Sequence, residues 1–206
     1  MAEDRRIRKT KRSLKQALLT LLTQKAFEQI TVKDICEASE TSRITFYTHY
    51  DDKFALLDEL FRDFSELAVA RFQQLQEENN PQHHAVASYC NLLDSVLDFY
   101  FQYVETFETA ESGESPYLRF LIYKYILENV EHLVEAESGT IRPRYSLKKT
   151  TWFLCYGLWG FINEARTEGD DVERIRQETH GILLALLQSE AFISHTPQHG
   201  PGNKAE

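Results

Sequence analysis

The chain has 206 residues, 42% hydrophobic and 27% charged, with only eight glycines and five prolines. That is the composition of a soluble globular protein with room for one or two cored domains, and it favours helices over a sandwich or barrel. No uninterrupted apolar run approaches the ~20 residues of a transmembrane helix, and the charged N-terminus lacks the apolar centre of a secretory signal. The net charge of −9 is unevenly spread: residues 1–50 carry 10 Lys and Arg against 6 Asp and Glu (+4), and the rest carry 13 against 26 (−13). A basic head on an acidic body fits a nucleic-acid module joined to something else.

In chain order, residues 1–8 read as a basic arm with Arg5, Arg6 and Arg8. From about Lys9 a helical stripe of Leu14, Ala17, Leu18, Leu21 and Leu22 follows, closed by Phe27 and Ile30. Thr31 is a good helix N-cap with Asp34 at its N3 position, and Val32, Ile35 and Cys36 face inward. Glu40 and Thr41 make a turn. Ser42 caps a helix that runs to about His49, and Asp51 or Asp52 caps a long fourth helix.

The pattern breaks at NNPQHH, residues 79–84, before a helix bearing Val86, Tyr89, Leu93, Val96 and Tyr100. A loop around Ser112–Pro116, a helix from about Leu118, and a loop at Ser138–Pro143 follow. Two strong helices, about Ser146–Thr167 and Val172–Ala191, close the ordered part. The expected architecture is all-α: a three-helix head over 1–53, a helical body over 54–192, and a disordered tail over 193–206.

The segment TVKDICEASETSRITFYTHYDDK, Thr31–Lys53, carries the functional signal. Two short helices joined by a tight turn form a helix-turn-helix, in which the first helix braces and the second enters the major groove. Thr31 sets helix N–H groups where a phosphate can sit. On the second helix, Arg43 can fork onto guanine or clamp phosphate. Thr45 and Thr48 can reach base edges, and Ile44, apolar on a polar helix, can touch a thymine methyl. Phe46 is the core anchor. Tyr47, His49 and Tyr50 cluster at the far end, where they can hold phosphates, as can Lys53. Any one of these aromatics alone is more simply a packing residue; the combination of arm, capped brace, turn and polar helix favours DNA.

ITVKDICEAS, the three-residue joint Glu40–Ser42, RITFYTHY and DDKFALL together resemble the head of the TetR/AcrR family of bacterial transcription regulators, over roughly residues 8–60. The resemblance implies a homodimer with each head in a major groove of a two-fold, palindromic operator on double-stranded DNA. It implies base contacts from Ser42, Arg43, Ile44 and Thr45 and phosphate contacts from Thr31, Tyr47, His49 and Lys53. It also implies a body that binds a small effector and so changes the spacing of the heads. The expected function is a transcriptional repressor released by a small molecule; a TetR-like co-regulator switched by a protein partner is the alternative. Glu40 departs from the family, in which many relatives have a turn glycine, and Ile44 takes a position that is often small.

In the last two helices, Leu154, Leu158, Phe161, Ile162 and Ala165 form one stripe, and Phe153, Gly157, Gly160 and Glu164 another. Glycines at this spacing permit close helix approach. With Ile175, Ile182, Leu183, Leu186 and Leu187 on the final helix, a four-helix dimer interface is expected around Phe153, Gly157, Gly160, Ile182, Leu183 and Leu186. Aromatics crowd the middle helices, and a pocket using Tyr100, Tyr103 and Tyr123 is one reading, although such stripes are more often core.

No nucleophile motif, phosphate loop or paired-His zinc motif occurs, so no enzyme activity, cofactor or metal is expected. Cys36, Cys90 and Cys155 are odd in number, widely spaced and without a CxxC pair, which suits reduced thiols in a cytoplasmic protein.

Overall fold

The computed structural model describes residues 2–107, 116–137 and 144–189, and within them the chain forms eight α-helices and no strand. They are α1 (Ala2–Leu22), α2 (Val32–Ala38), α3 (Arg43–His49), α4 (Lys53–Asn79), α5 (Ala85–Phe107), α6 (Pro116–Glu137), α7 (Leu147–Glu168) and α8 (Val172–Leu187), with a 3₁₀ turn at Phe27–Gln29. The tail and the two loops expected near Ser112 and Ser138 fall outside the described residues, apart from Pro116, which opens α6.

Two boundaries differ from the sequence reading. Helix α1 begins at Ala2, so Arg5, Arg6 and Arg8 lie on an exposed helical turn. The run RRIRKTKR contains neither Gly nor Pro to stop a helix that the apolar stripe after Lys9 already nucleates. Helix α8 stops at Leu187, with Gln188 as its cap.

Capping fixes the other starts. Asp52 Oδ1 accepts the Ala55 N–H at 2.8 Å to begin α4, and Asp171 Oδ1 accepts the Arg174 N–H at 2.9 Å to begin α8. The head's core is Leu14, Leu18, Leu22, Phe27, Ile30, Ile35, Phe46, Leu56 and Leu57, each 1% exposed or less. That core continues without a break through Leu60, Phe61 and Phe64 of α4 to Leu118 and Leu121 of α6. Helix α4 thus belongs to the head at its first turns and to the body thereafter, where it packs on α5 and α6.

Ion pairs add to this junction. Lys11 and Lys15 of α1 reach Glu59 of α4 at 2.8 and 3.2 Å, and Lys15 also pairs with Asp63. Within the body, Arg71 of α4 pairs with Asp98 at 2.8 Å, and Arg176 of α8 pairs with Asp98 at 2.6 Å and with Asp94. Between α4 and α5, the buried Gln76, Asn80, Ser88 and Asn91 satisfy one another through bonds of 2.6–3.1 Å.

Candidate nucleic-acid interface and body cavity

Helix α2 starts with a complete capping box. The Asp34 N–H donates to Thr31 Oγ1 at 3.2 Å and the Thr31 N–H donates to Asp34 Oδ2 at 2.8 Å. Lys25 Nζ donates to the same carboxylate at 2.7 Å, and these bonds hold the Asp34 pKa down at about 2. Thr31 is exposed, and the box engages its N–H as donor and its Oγ1 as acceptor.

The turn to α3 has a specific geometry. The Thr41 N–H donates to Cys36 O at 2.9 Å and the Glu40 N–H to Glu37 O at 3.3 Å, with Glu40 at φ 52°. This is a Schellman ending whose left-handed position is normally glycine. A Cβ in that conformation costs roughly 1–2 kcal/mol. The glycine that the family resemblance implies at this turn is therefore what the backbone asks for, and Glu40 occupies the place with strain.

Ser42 Oγ accepts the Thr45 N–H at 3.0 Å and lies 2.8 Å from Thr45 Oγ1, so the two form one cap at the start of α3. Phe46 points inward at 0% exposure, and Ile44 points outward at 82%. Arg43, Tyr47 and Thr48 share the outer face with Ile44, as their spacing requires. Thr48 Oγ1 donates to Ile44 O at 2.9 Å, which leaves its oxygen facing out. His49 is half-buried at the helix edge.

Two expected phosphate contacts lie elsewhere. Tyr50 stands four residues from Phe46, on the same inner face, and is 4% exposed. Its ring lies 5.2 Å from Lys11 Nζ, and burial with the charge of Glu59 pushes its hydroxyl pKa well up. Lys53 Nζ donates to Phe27 O, Glu28 O and Ile30 O at 2.8, 3.1 and 2.7 Å, and sits 4.6 Å from the Phe27 ring centroid. All three of its hydrogens are engaged in tying the 3₁₀ turn to α4, so it is a structural clamp. Desolvation lowers its pKa.

On α7, the two stripes separate as their spacing demands. Thr151, Ile162 and Ala165 are buried, whereas Phe153 and Tyr156 are 60% and 49% exposed and Gly157 and Gly160 open to solvent on the other side. Gly181 of α8 is also exposed, and a Cβ at any of these three glycines would meet nothing within 4 Å. The seam expected on α8 splits. Ile182 and Leu186 are half-buried, but Leu183 is 4% exposed and packs with Ile175, Leu187 and Ile162 in the chain's own core. Leu183 follows Ile175 and Thr179 at four-residue steps, and this face turns inward.

A cavity of about 90 Å³ lies among α5, α6, α7 and α8, lined by side chains including Leu92, Val96, Val130, Thr151, Leu154, Cys155, Leu158 and Trp159. A second, of about 30 Å³, borders Phe61, Phe64 and Ser65 of α4 and shares Leu92, Val96, Ile126 and Val130 with the first. Tyr100 and Tyr103, expected to line a pocket, do not line this one. Tyr100 accepts from Arg166 at 2.6 Å and donates to Asn163 at 3.1 Å, and Tyr103 packs on Phe64 and Phe99. The side chain of Tyr123 lies outside the described residues. The lining is generic apolar sequence, and no motif announces it.

The thiols stand apart from chemistry. Burial raises the pKa of Cys36 and Cys90, and that of Cys155 to about 12. Among the described residues, no group of His, Cys, Asp and Glu is placed to hold a metal, and no helix is long and apolar enough to cross a membrane.

A capped brace, a Schellman turn and a capped second helix with an exposed polar face define a helix-turn-helix DNA-binding head. Residues 15–60 match bacterial regulatory proteins of the tetR family. Over 53 residues, 26% of this chain, it is 38% identical to the uncharacterized HTH-type transcriptional regulator YxbF of Bacillus subtilis (strain 168), of which the match spans 14%. Among solved structures, the TetR-like transcriptional regulator LfrR from Mycobacterium smegmatis, in complex with proflavine, superposes at TM-score 0.52 and 19% identity, covering 88% of this chain and 96% of that one. A protein of unknown function from Rhodococcus sp. RHA1 superposes at 0.50 and 17% identity, covering 83% and 93%. These last two likenesses are of fold.

Proposed function

We propose that this chain is a homodimeric, sequence-specific regulator of transcription, a repressor that leaves its operator when a small molecule binds the body. The observation that carries the reading is α3: seven residues anchored by Phe46 alone, with Arg43, Ile44, Tyr47 and Thr48 turned outward. Ser42, Arg43, Ile44 and Thr45 meet base edges; Thr31, Tyr47 and His49 meet phosphates. The dimer joins through Phe153, Gly157, Gly160, Ile182 and Leu186. Exposed glycines on α7 and α8, each open to space, support this, because they let a second helix pair approach closely.

An effector in the body is supported by the cavity, and by proflavine in LfrR, whose fold this body shares. The test is selection of bound sequences from a random duplex pool, with titration of the enriched site by sedimentation. A near-palindrome bound by two chains is the expected result. Weak binding without enrichment, abolished by salt, would sink the reading.

A further inference from the structure

The ~90 Å³ cavity says more about its occupant than that one exists. Among the described residues, none that lines it is Asp, Glu, Lys, Arg or His. The described groups there with any polarity are Tyr89, Thr151, Cys155 and Trp159; the other described lining residues are Leu, Ile and Val. Glu131, whose charge reaches Cys155, is already paired with Lys148 at 3.0 Å. Burial keeps the Cys155 thiol protonated, so it offers neither a nucleophile nor a soft anion. An ion entering here would lose its water and gain no countercharge.

Size narrows the choice further. Native cores hold few voids larger than a water molecule. An apolar cavity of ~150 Å³ stays dry and takes benzene. The smaller void beside this one is separated from it by Leu92, Val96, Ile126 and Val130, side chains that can rotate to enlarge the space.

We propose that the cavity between α5, α6, α7 and α8 binds an uncharged, mostly hydrocarbon molecule about the size of one aromatic ring, and refuses carboxylates and amines of the same shape. This rests on the reading of the body as an effector site and names the class of effector. Val130 and Ile126 form the wall toward α4, so a ligand that presses on them presses on the helix that carries the head.

The test uses the 206-residue chain with Trp152→Phe, so that Trp159, on the cavity wall, is the remaining indole. Toluene and benzoate differ only in methyl against carboxylate. Toluene should change Trp159 emission saturably and bind at least about tenfold more tightly than benzoate. Leu154→Phe should fill the space and abolish toluene binding. Should that variant fail to fold, Leu154→Ala supplies the converse, shifting preference toward naphthalene.

Equal binding of benzoate and toluene, or toluene binding unchanged in both Leu154 variants, would overturn the proposal. Toluene bound at the wall with unaltered operator affinity would support the ligand class while defeating release by an effector. Charged ligands that free the DNA while toluene does not bind would do the reverse.

Discussion

Helix α3 turns Arg43, Ile44, Tyr47 and Thr48 to solvent, whereas α7 and α8 turn out Phe153, Tyr156, Gly157, Gly160 and Gly181. Both faces are unfinished in a single chain. The first offers long donors, hydroxyls and one exposed apolar tip, the mixture that suits the wet, charged wall of a groove. The second offers rings beside bare backbone, which suits another protein surface at close range. The difference shows how exposure should be judged: a polar outer face is ordinary until its positions are too long and too varied for mere solubility, and an aromatic one calls for a cover.

The largest effect should come from spoiling the second face. Gly157→Arg, where a Cβ meets open space in the single chain, should leave the fold intact but give monomers by sedimentation. Operator affinity should fall by at least about a hundredfold, because one head carries roughly half the contacts. Dimers of unchanged affinity would remove the second face from the comparison.

Next, Arg43→Ala should cost ~1–3 kcal/mol, confined to one base position in a panel of mutated operators. A loss spread evenly over all sites would make Arg43 a backbone contact. Lys53→Met should behave in the opposite way. Its ammonium serves three carbonyls, so the salt slope of binding should stay constant while the head loses about 1–3 kcal/mol in denaturant titration. A slope reduced by about one would return Lys53 to the phosphates.

Glu40→Gly should raise stability by about 1 kcal/mol by relieving the left-handed turn, and should tighten binding to every duplex by removing a negative charge. The smallest effect is a pH dependence. The Asp34 pKa is lowered from 3.8 to about 2, so its contribution is complete above about pH 4 and is lost as pH falls through 2. Unfolding curves between these limits should flatten in Asp34→Asn.

Much of the head was legible because its signals are local. Thr31, Asp34, Ser42 and Asp52 cap helices through bonds between residues three apart, and the left-handed backbone at Glu40 lies within a six-residue hydrogen-bond pattern, Cys36–Thr41. What escaped was set by direction and by distance along the chain. Tyr50 shares the inner face with Phe46, and Leu183 with Ile175; counting in fours would have placed both. Lys53 finds its carbonyls 23 to 26 residues away, a pairing that no periodicity encodes. The cavity is more remote still, since its lining comes from four helices and consists of the residues that fill any core.

Helix α4 has 27 residues and so measures about 40 Å at 1.5 Å per residue. At its start it is pinned to α1 by Lys11, Lys15, Glu59 and Asp63, and toward its end to α5 by the amides of Gln76, Asn80 and Asn91. A rod held this way behaves as a pointer. One degree of tilt about the Asn79 end carries the Lys53 end through about 0.7 Å, and five degrees through about 3.5 Å, close to one base-pair step. Movements in the body too small to disturb its packing are thereby magnified at the far tip into the unit in which DNA is measured.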